Sequence, residues 1–268
     1  MELANLTKVH NRLNKVFEGN SDPLLNVYFT AGYPQLDDTV RIAESLEAGG
    51  ADILEIGLPF SDPIADGPTI QESSNQALEN GMSLKVLMDQ LGSLRDKVNV
   101  PVLLMGYLNP VLQYGFEDFC AKCQEVGVDG LILPDLPMYE YQEIYGPLMA
   151  QYGLHNIFLI TPQTSEERIR EVDEFSSSFI YVVSSFSTTG AKAGLATDQI
   201  DYFKRVNELG LKSDLMIGFG ISDHETFKAA SAHASGAIIG SAFIKTLRKD
   251  ASNESIEAFV KNIKLGSS

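Results

Sequence analysis

Short apolar runs alternate with longer amphipathic stretches along nearly the whole chain. The apolar runs are residues 25–30, 52–56, 100–105, 130–133, 156–161, 179–184, 215–218 and 237–240. Most are bounded by Gly, Pro, Asn or Asp, the punctuation of buried strands. Between them, residues 37–48, 116–126, 139–152, 166–174, 198–209, 223–232 and 254–263 repeat apolar positions at helical spacing. Ser165, Thr197 and Ser222 stand where N-caps are expected, and Gly81 predicts the end of one helix before another starts at Leu84. Leu3, Leu6, Leu13, Val16 and Phe17 form a further helical stripe, which predicts an extra N-terminal helix.

Strands separated by helices in this order predict an α/β protein with a parallel sheet closed on itself, a single (β/α)8 TIM barrel spanning residues 1–268. The rival is an open doubly wound sheet, whose first strand would lead into G-x-G-x-x-G. Here it leads into Ala31-Gly32-Tyr33-Pro34 instead. In a closed barrel the functional groups gather at the carboxyl ends of the strands.

Composition narrows the partners. The 268 residues are 44% hydrophobic and carry a formal net charge of -16. That charge argues against nucleic acid and anionic membrane surfaces as partners. It permits an anionic small molecule, because backbone dipoles can hold a phosphate locally. No run approaches the roughly 20 apolar residues of a membrane span, and the first residues lack the apolar core of a signal peptide. The expected location is cytoplasmic. Cys120 and Cys123 are the only cysteines. They share one face of the predicted helix 116–126, where packing is the simpler reading than redox or metal chemistry.

Three segments carry candidate chemistry. Glu55 interrupts an apolar strand, and a buried carboxylate is costly unless paired or used. Alternation puts Ile53, Glu55 and Gly57 on one face, so Glu55 points into the barrel mouth if that face is inward. A structural ion pair is the competing reading. Asp62 and Asp66 follow in a proline-rich loop, where turn chemistry competes with catalysis. Second, Gly218-Phe219-Gly220-Ile221-Ser222 follows the seventh strand, and Gly240-Ser241-Ala242 follows the eighth. Glycine turns at these two strand ends suit backbone binding of a phosphate. Third, the small, polar stretch 184–194 after the sixth strand has the character of a lid, with a merely flexible surface loop as the competing reading.

Absences also matter. No lysine lies in the runs from the fifth to the eighth strand, as a Schiff-base aldolase would require. His10, His155, His224 and His233 all avoid the carboxyl ends of strands, so no metal site is expected. Cofactor-free acid–base chemistry by carboxylates remains.

The segment from Glu55 to Thr69 resembles the signature of the tryptophan synthase alpha subunit family. The resemblance continues from Tyr28-Phe29-Thr30-Ala31-Gly32 through Pro134-Asp135-Leu136-Pro137 to Gly218-Phe219-Gly220-Ile221. It implies a carbon–carbon lyase of tryptophan biosynthesis, cleaving indole-3-glycerol phosphate to indole and glyceraldehyde 3-phosphate. By the same resemblance Glu55 is the catalytic acid and base, and Asp66 accepts from the indole N–H. Tyr28, Tyr107, Ile132, Ile160 and Tyr181 match residues lining the indole site, and Thr189 a lid residue that contacts Asp66. Gly190, Gly220, Gly240 and Ser241 match the phosphate site. The family works as an α2β2 heterotetramer. The resemblance thus implies a beta subunit that receives indole, faces Asp62 and Pro63, and carries the pyridoxal phosphate, with no cofactor on this chain. Ser185-Phe186-Ser187-Thr188 departs from the pattern, standing where better-known members have Arg-Ala-Gly-Val. Three other readings stay open on the residues alone: another phosphate-binding barrel enzyme, a non-catalytic ligand-binding subunit, and a stand-alone lyase that releases indole freely.

Overall fold

The fold is that of a computed structural model, which describes residues 7–19, 22–61, 66–183, 197–218 and 220–266. Nine parallel strands form one sheet: β1 (Leu24–Thr30), β2 (Ile53–Gly57), β3 (Val102–Met105), β4 (Gly130–Ile132), β5 (His155–Asn156), β6 (Leu159–Ile160), β7 (Phe179–Val183), β8 (Asp214–Gly218) and β9 (Gly236–Ile239). Their order is β5-β4-β3-β2-β1-β9-β8-β7-β6. The predicted fifth run is thus two short pieces, β5 and β6, and it closes the ring. Ile157 N–H donates to Leu131 O at 2.9 Å, and Tyr181 N–H donates to Phe158 O at 2.8 Å. The lower half of the run therefore bonds to β4 and its upper half to β7, which is the stagger a closed barrel requires.

Strand alternation divides the core into two layers. Leu24, Ile53, Leu103, Ile132, Ile157, Phe179, Met216 and Ile238 fill the barrel interior. Leu25, Val27, Phe29, Leu54, Ile56, Leu104, Ile180, Val182 and Ile217 face the surrounding helices. The bottom of the interior is sealed by the helix Arg12–Phe17, whose Leu13 is fully buried and whose Val16 and Phe17 pack against the inner cluster. This helix is shorter than the predicted stripe, and Leu3 and Leu6 lie outside the described residues. Asn11 starts it, accepting from Leu13 N–H while Asn14 bonds back to Asn11 N–H.

Local signals behave as their chemistry dictates, with two differences. Ser165 caps the helix Glu166–Phe175, and Gly81 adopts φ +95° between the helices Pro68–Glu79 and Leu84–Gln90. The cap of the helix His224–Ser231 is Asp223, not Ser222. The longer Asp223 side chain accepts from Thr226 N–H at 2.9 Å and from the Thr226 hydroxyl at 2.8 Å. The predicted helix 139–152 is broken into Met138–Glu140, a π turn Tyr141–Tyr145, and Gly146–Gln151. Pro147 has no N–H to return to the previous turn, and the wider turn ends beside it. Cys120 and Cys123 are fully buried in the helix Phe116–Val126, and burial pushes the Cys120 thiol up to about 12. Both act as small core side chains. Among the described residues, no helix is long and apolar enough to cross a membrane.

Candidate active site

Glu55 lies in the middle of β2, flanked in register by Tyr28 of β1 and Leu103 of β3. Ile53 on the same face belongs to the inner cluster, so Glu55 points into the barrel, and its residual exposure is 1%. Among the described residues, one hydrogen bond reaches its carboxyl: Asn26 Nδ2–H donates to Glu55 Oε2 at 3.0 Å. Loss of hydration disfavours the charged form, so burial pushes the carboxyl up to about 8. The Asn26 bond pulls in the opposite direction, and the negative charge of Asp66 adds to the rise.

Asp66 comes just before the helix Pro68–Glu79, in the segment that follows β2. It is half-buried, and burial raises its carboxyl to about 6. Gln71 Nε2–H ties down the Asp66 carbonyl at 2.8 Å. Near neutral pH the two carboxyls therefore differ: Glu55 is mostly protonated and Asp66 mostly ionised. Two carboxyls close enough to interact, with separated pKa values, form an acid and an anion.

Tyr28 and Tyr181 complete the walls. A Cβ placed on Gly57 would come within 2.1 Å of the Tyr28 hydroxyl, and one on Gly218 within 2.4 Å of the Tyr181 hydroxyl. Glycine at those strand ends makes the room that the rings occupy. Burial, together with Glu55 and Asp66, pushes both phenols above their usual range and keeps them neutral. Tyr28 OH lies 3.5 Å from Thr30 Oγ1, which shares a 2.7 Å hydrogen bond with Ser73 Oγ. Tyr107 starts the helix Leu108–Tyr114, and its ring sits 5.0 Å from that of Phe60. Ile132 belongs to the inner cluster.

Ile160 requires a correction. It pairs in register with Val182, and both pack in the outer layer. Its neighbour Leu159 pairs with the inward Tyr181 and packs against the inner cluster. Leu159, not Ile160, faces the cavity, because a shift of one residue moves a strand side chain to the opposite face.

Gly220 has φ +81°, where a side chain would be strained. Gly240 precedes the helix Ser241–Lys249 and gives it no side-chain cap. Its first internal bond is Ile244 N–H to Gly240 O at 3.0 Å, so the N–H groups of the first turn remain for an anion. A Cβ on Gly240 would meet the Tyr28 ring at 3.4 Å, so this helix end adjoins the tyrosine wall. Asp62, Pro63, Thr189 and Gly190 lie outside the described residues.

The structure thus brings Glu55, Asp66, Tyr28 and Tyr181 together. Sequence reasoning missed Asn26, Thr30, Ser73 and Leu159, and the spacing role of Gly57 and Gly218. Asn26 carried a usable signal, a polar residue inside an apolar strand two positions before Tyr28. The arrangement suits proton transfer by carboxyl groups in a largely apolar, aromatic surrounding.

The family model described as tryptophan synthase alpha chain matches residues 16–266. The tryptophan synthase alpha chain of Christiangramia forsetii is 56% identical over 95% of this chain and 98% of its own length. That of Flavobacterium psychrophilum is 55% identical over 94% and 99%. Among solved structures, tryptophan synthase subunit alpha from Legionella pneumophila superposes with a TM-score of 0.87 at 31% identity, covering 96% of this chain and 98% of that one. A chain of tryptophan synthase from M. tuberculosis, in an aminoacrylate-bound form, gives 0.84 at 27% identity, covering 97% and 100%. Whole-length identity above one half, a shared barrel and a matching family model make this chain a member of the tryptophan synthase alpha chain family.

Proposed function

We propose that this member of the family cleaves indole-3-glycerol phosphate to indole and glyceraldehyde 3-phosphate. The observation that supports this best is the unequal carboxyl pair, Glu55 raised to about 8 and Asp66 to about 6, with Asp66 acting on Glu55 electrostatically. Protonated Glu55 gives its proton to carbon 3 of the indole ring. The ring becomes cationic, and ionised Asp66 accepts from its N–H and offsets the charge. Glu55, now a carboxylate, removes the proton from the hydroxyl on the adjacent side-chain carbon. The C–O bond becomes a carbonyl, the C–C bond breaks, and its electron pair returns to the ring. Glu55 ends protonated, so the cycle closes without a co-reactant.

The tyrosines, Ile132 and Leu159 hold the ring away from water. Gly220, Gly240 and Ser241 supply N–H groups for the phosphate, and Thr189 and Gly190 keep the roles that the family resemblance gives them. Indole is small and apolar, which favours direct transfer to a beta subunit beside Asp62 and Pro63 in an α2β2 assembly. Pyridoxal phosphate belongs to that partner. The setting of this chemistry is the cytoplasm.

The test is indole release from indole-3-glycerol phosphate by the purified protein, with and without a beta subunit. Wild type should release indole, and Glu55→Gln should lose roughly 10³-fold in kcat, within the range for a general acid–base group. No indole from wild type in either condition, or wild-type turnover by Glu55→Gln, would overturn the reading.

A further inference from the structure

Asn26 is fully buried, yet among the described residues half of its amide has no partner: Oδ1 is buried without a hydrogen bond. Such a group needs an explanation, since a leucine of similar size would fill the site without leaving an orphan. Register pairs Asn26 with Ile53, and Tyr28 with Glu55, so the amide sits diagonally below the carboxyl on the same inward face. Among the described residues, its one side-chain hydrogen bond is that to Glu55 Oε2.

We propose that Asn26 is the positioning residue for Glu55, holding Oε2 as an acceptor so that the proton that moves in the reaction is carried on Oε1. While the Nδ2–H···Oε2 bond is kept, a proton on Oε2 would face another donor, so Oε1 is the protonated oxygen. Among the described residues no second hydrogen bond engages the Glu55 carboxyl, which leaves Oε1 for substrate. The same oxygen then gives the proton to carbon 3 and takes the next one from the hydroxyl, without rotation of the carboxyl between the steps.

The neutrality of the donor matters. Burial raises the carboxyl of Asp129 as well, but there the guanidinium groups of Arg12 and Arg95 and the Val102 N–H pull toward the charged form. An amide orients a carboxyl while still allowing it to be neutral. The direction of the effect agrees, since the Asn26 bond lowers the Glu55 pKa against the larger effect of burial.

This inference rests on Glu55 acting as acid and base. The experiment therefore runs wild type, Glu55→Gln, Asn26→Leu and Asn26→Asp together, following indole release over pH. Asn26→Leu should fold and reduce kcat about tenfold or more through misplacement of the carboxyl, with KM within about twofold of wild type. Its kcat/KM should also persist to higher pH, because the bond that lowers the Glu55 pKa is gone. Asn26→Asp, nearly isosteric, should move that alkaline limb further upward through like charge, and it decides the question if Asn26→Leu does not fold. If wild type is active, Glu55→Gln is not, and the Asn26 variants keep the wild-type kcat and limb or raise only KM, the proposal fails and the reading of the site survives. If wild type releases no indole, both fall.

Discussion

The two ends of the barrel each bury a carboxyl group whose pKa burial raises, and they partner it differently. At the bottom, Asp129 just ahead of β4 receives Arg12 Nη1 at 3.1 Å, Arg95 Nη2 at 2.8 Å and Val102 N–H at 2.8 Å. His155 nearby is bonded at both ring nitrogens, to Ser177 and Asn14. At the mouth, Glu55 has one neutral donor, and both Glu55 and Asp66 have their pKa values raised by burial. Paired charges at the bottom hold the chain together. Carboxyls without a cationic partner at the mouth are pushed toward protonation, which suits the proton transfer proposed for them. The contrast follows the general division of such barrels, with stability at the amino ends of the strands and chemistry at the carboxyl ends.

The largest expected effect is on activity at the mouth. Glu55→Gln should lose roughly 10³-fold in kcat, equivalent to about 4 kcal/mol of barrel-mouth chemistry, while its far-UV circular dichroism stays native. The mirror-image change at the bottom should do the opposite. Asp129→Ala removes the partner of two guanidinium groups and should cost about 3–5 kcal/mol of folding stability in urea titration. The folded fraction should keep kcat within about twofold, because Asp129 lies at the far end of the interior. A catalytic loss in a fully folded Asp129→Ala protein would break the comparison.

A smaller effect sharpens it. The folded-state pKa of Glu55 is raised to about 8 from an ordinary 4.5. The stability associated with its neutral form is therefore complete below about 4.5 and is lost as pH rises through about 8. Glu55→Gln should consequently melt like wild type at pH 4. At pH 9 it should gain on the order of a few kcal/mol, since the buried charge is gone. An equal gain at both pH values would show that Glu55 is not strained by burial.

Much of this was legible in the sequence, for definite reasons. Glu55 stood out because a charge inside an apolar run is expensive, and alternation with Ile53 and Gly57 gave its face. The helix Phe116–Val126 was bounded by Gly115 and Gly127, so its ends were marked. Asn26 bore the same mark as Glu55 but in weaker form, as an uncharged residue at the start of a strand. Leu159 and Ile160 could not be told apart, because the run 156–161 has apolar residues on both faces and only register with Tyr181 and Val182 decides. The ion cluster of Arg12, Arg95 and Asp129 joins positions separated by 117 and 34 residues, a tertiary fact without local pattern. The family signature supplied the unequal roles of Glu55 and Asp66, which position alone left undivided.

The central claim is that the barrel mouth holds a protonated Glu55 beside an ionised Asp66. The direct measurement is kcat/KM for indole release across pH 5 to 9, which reports the groups of the free enzyme. Activity should fall below about 6 as Asp66 takes up a proton and above about 8 as Glu55 loses its own, giving a bell with its maximum between. A profile that is flat over this range, or that rises continuously through 8, would contradict the account.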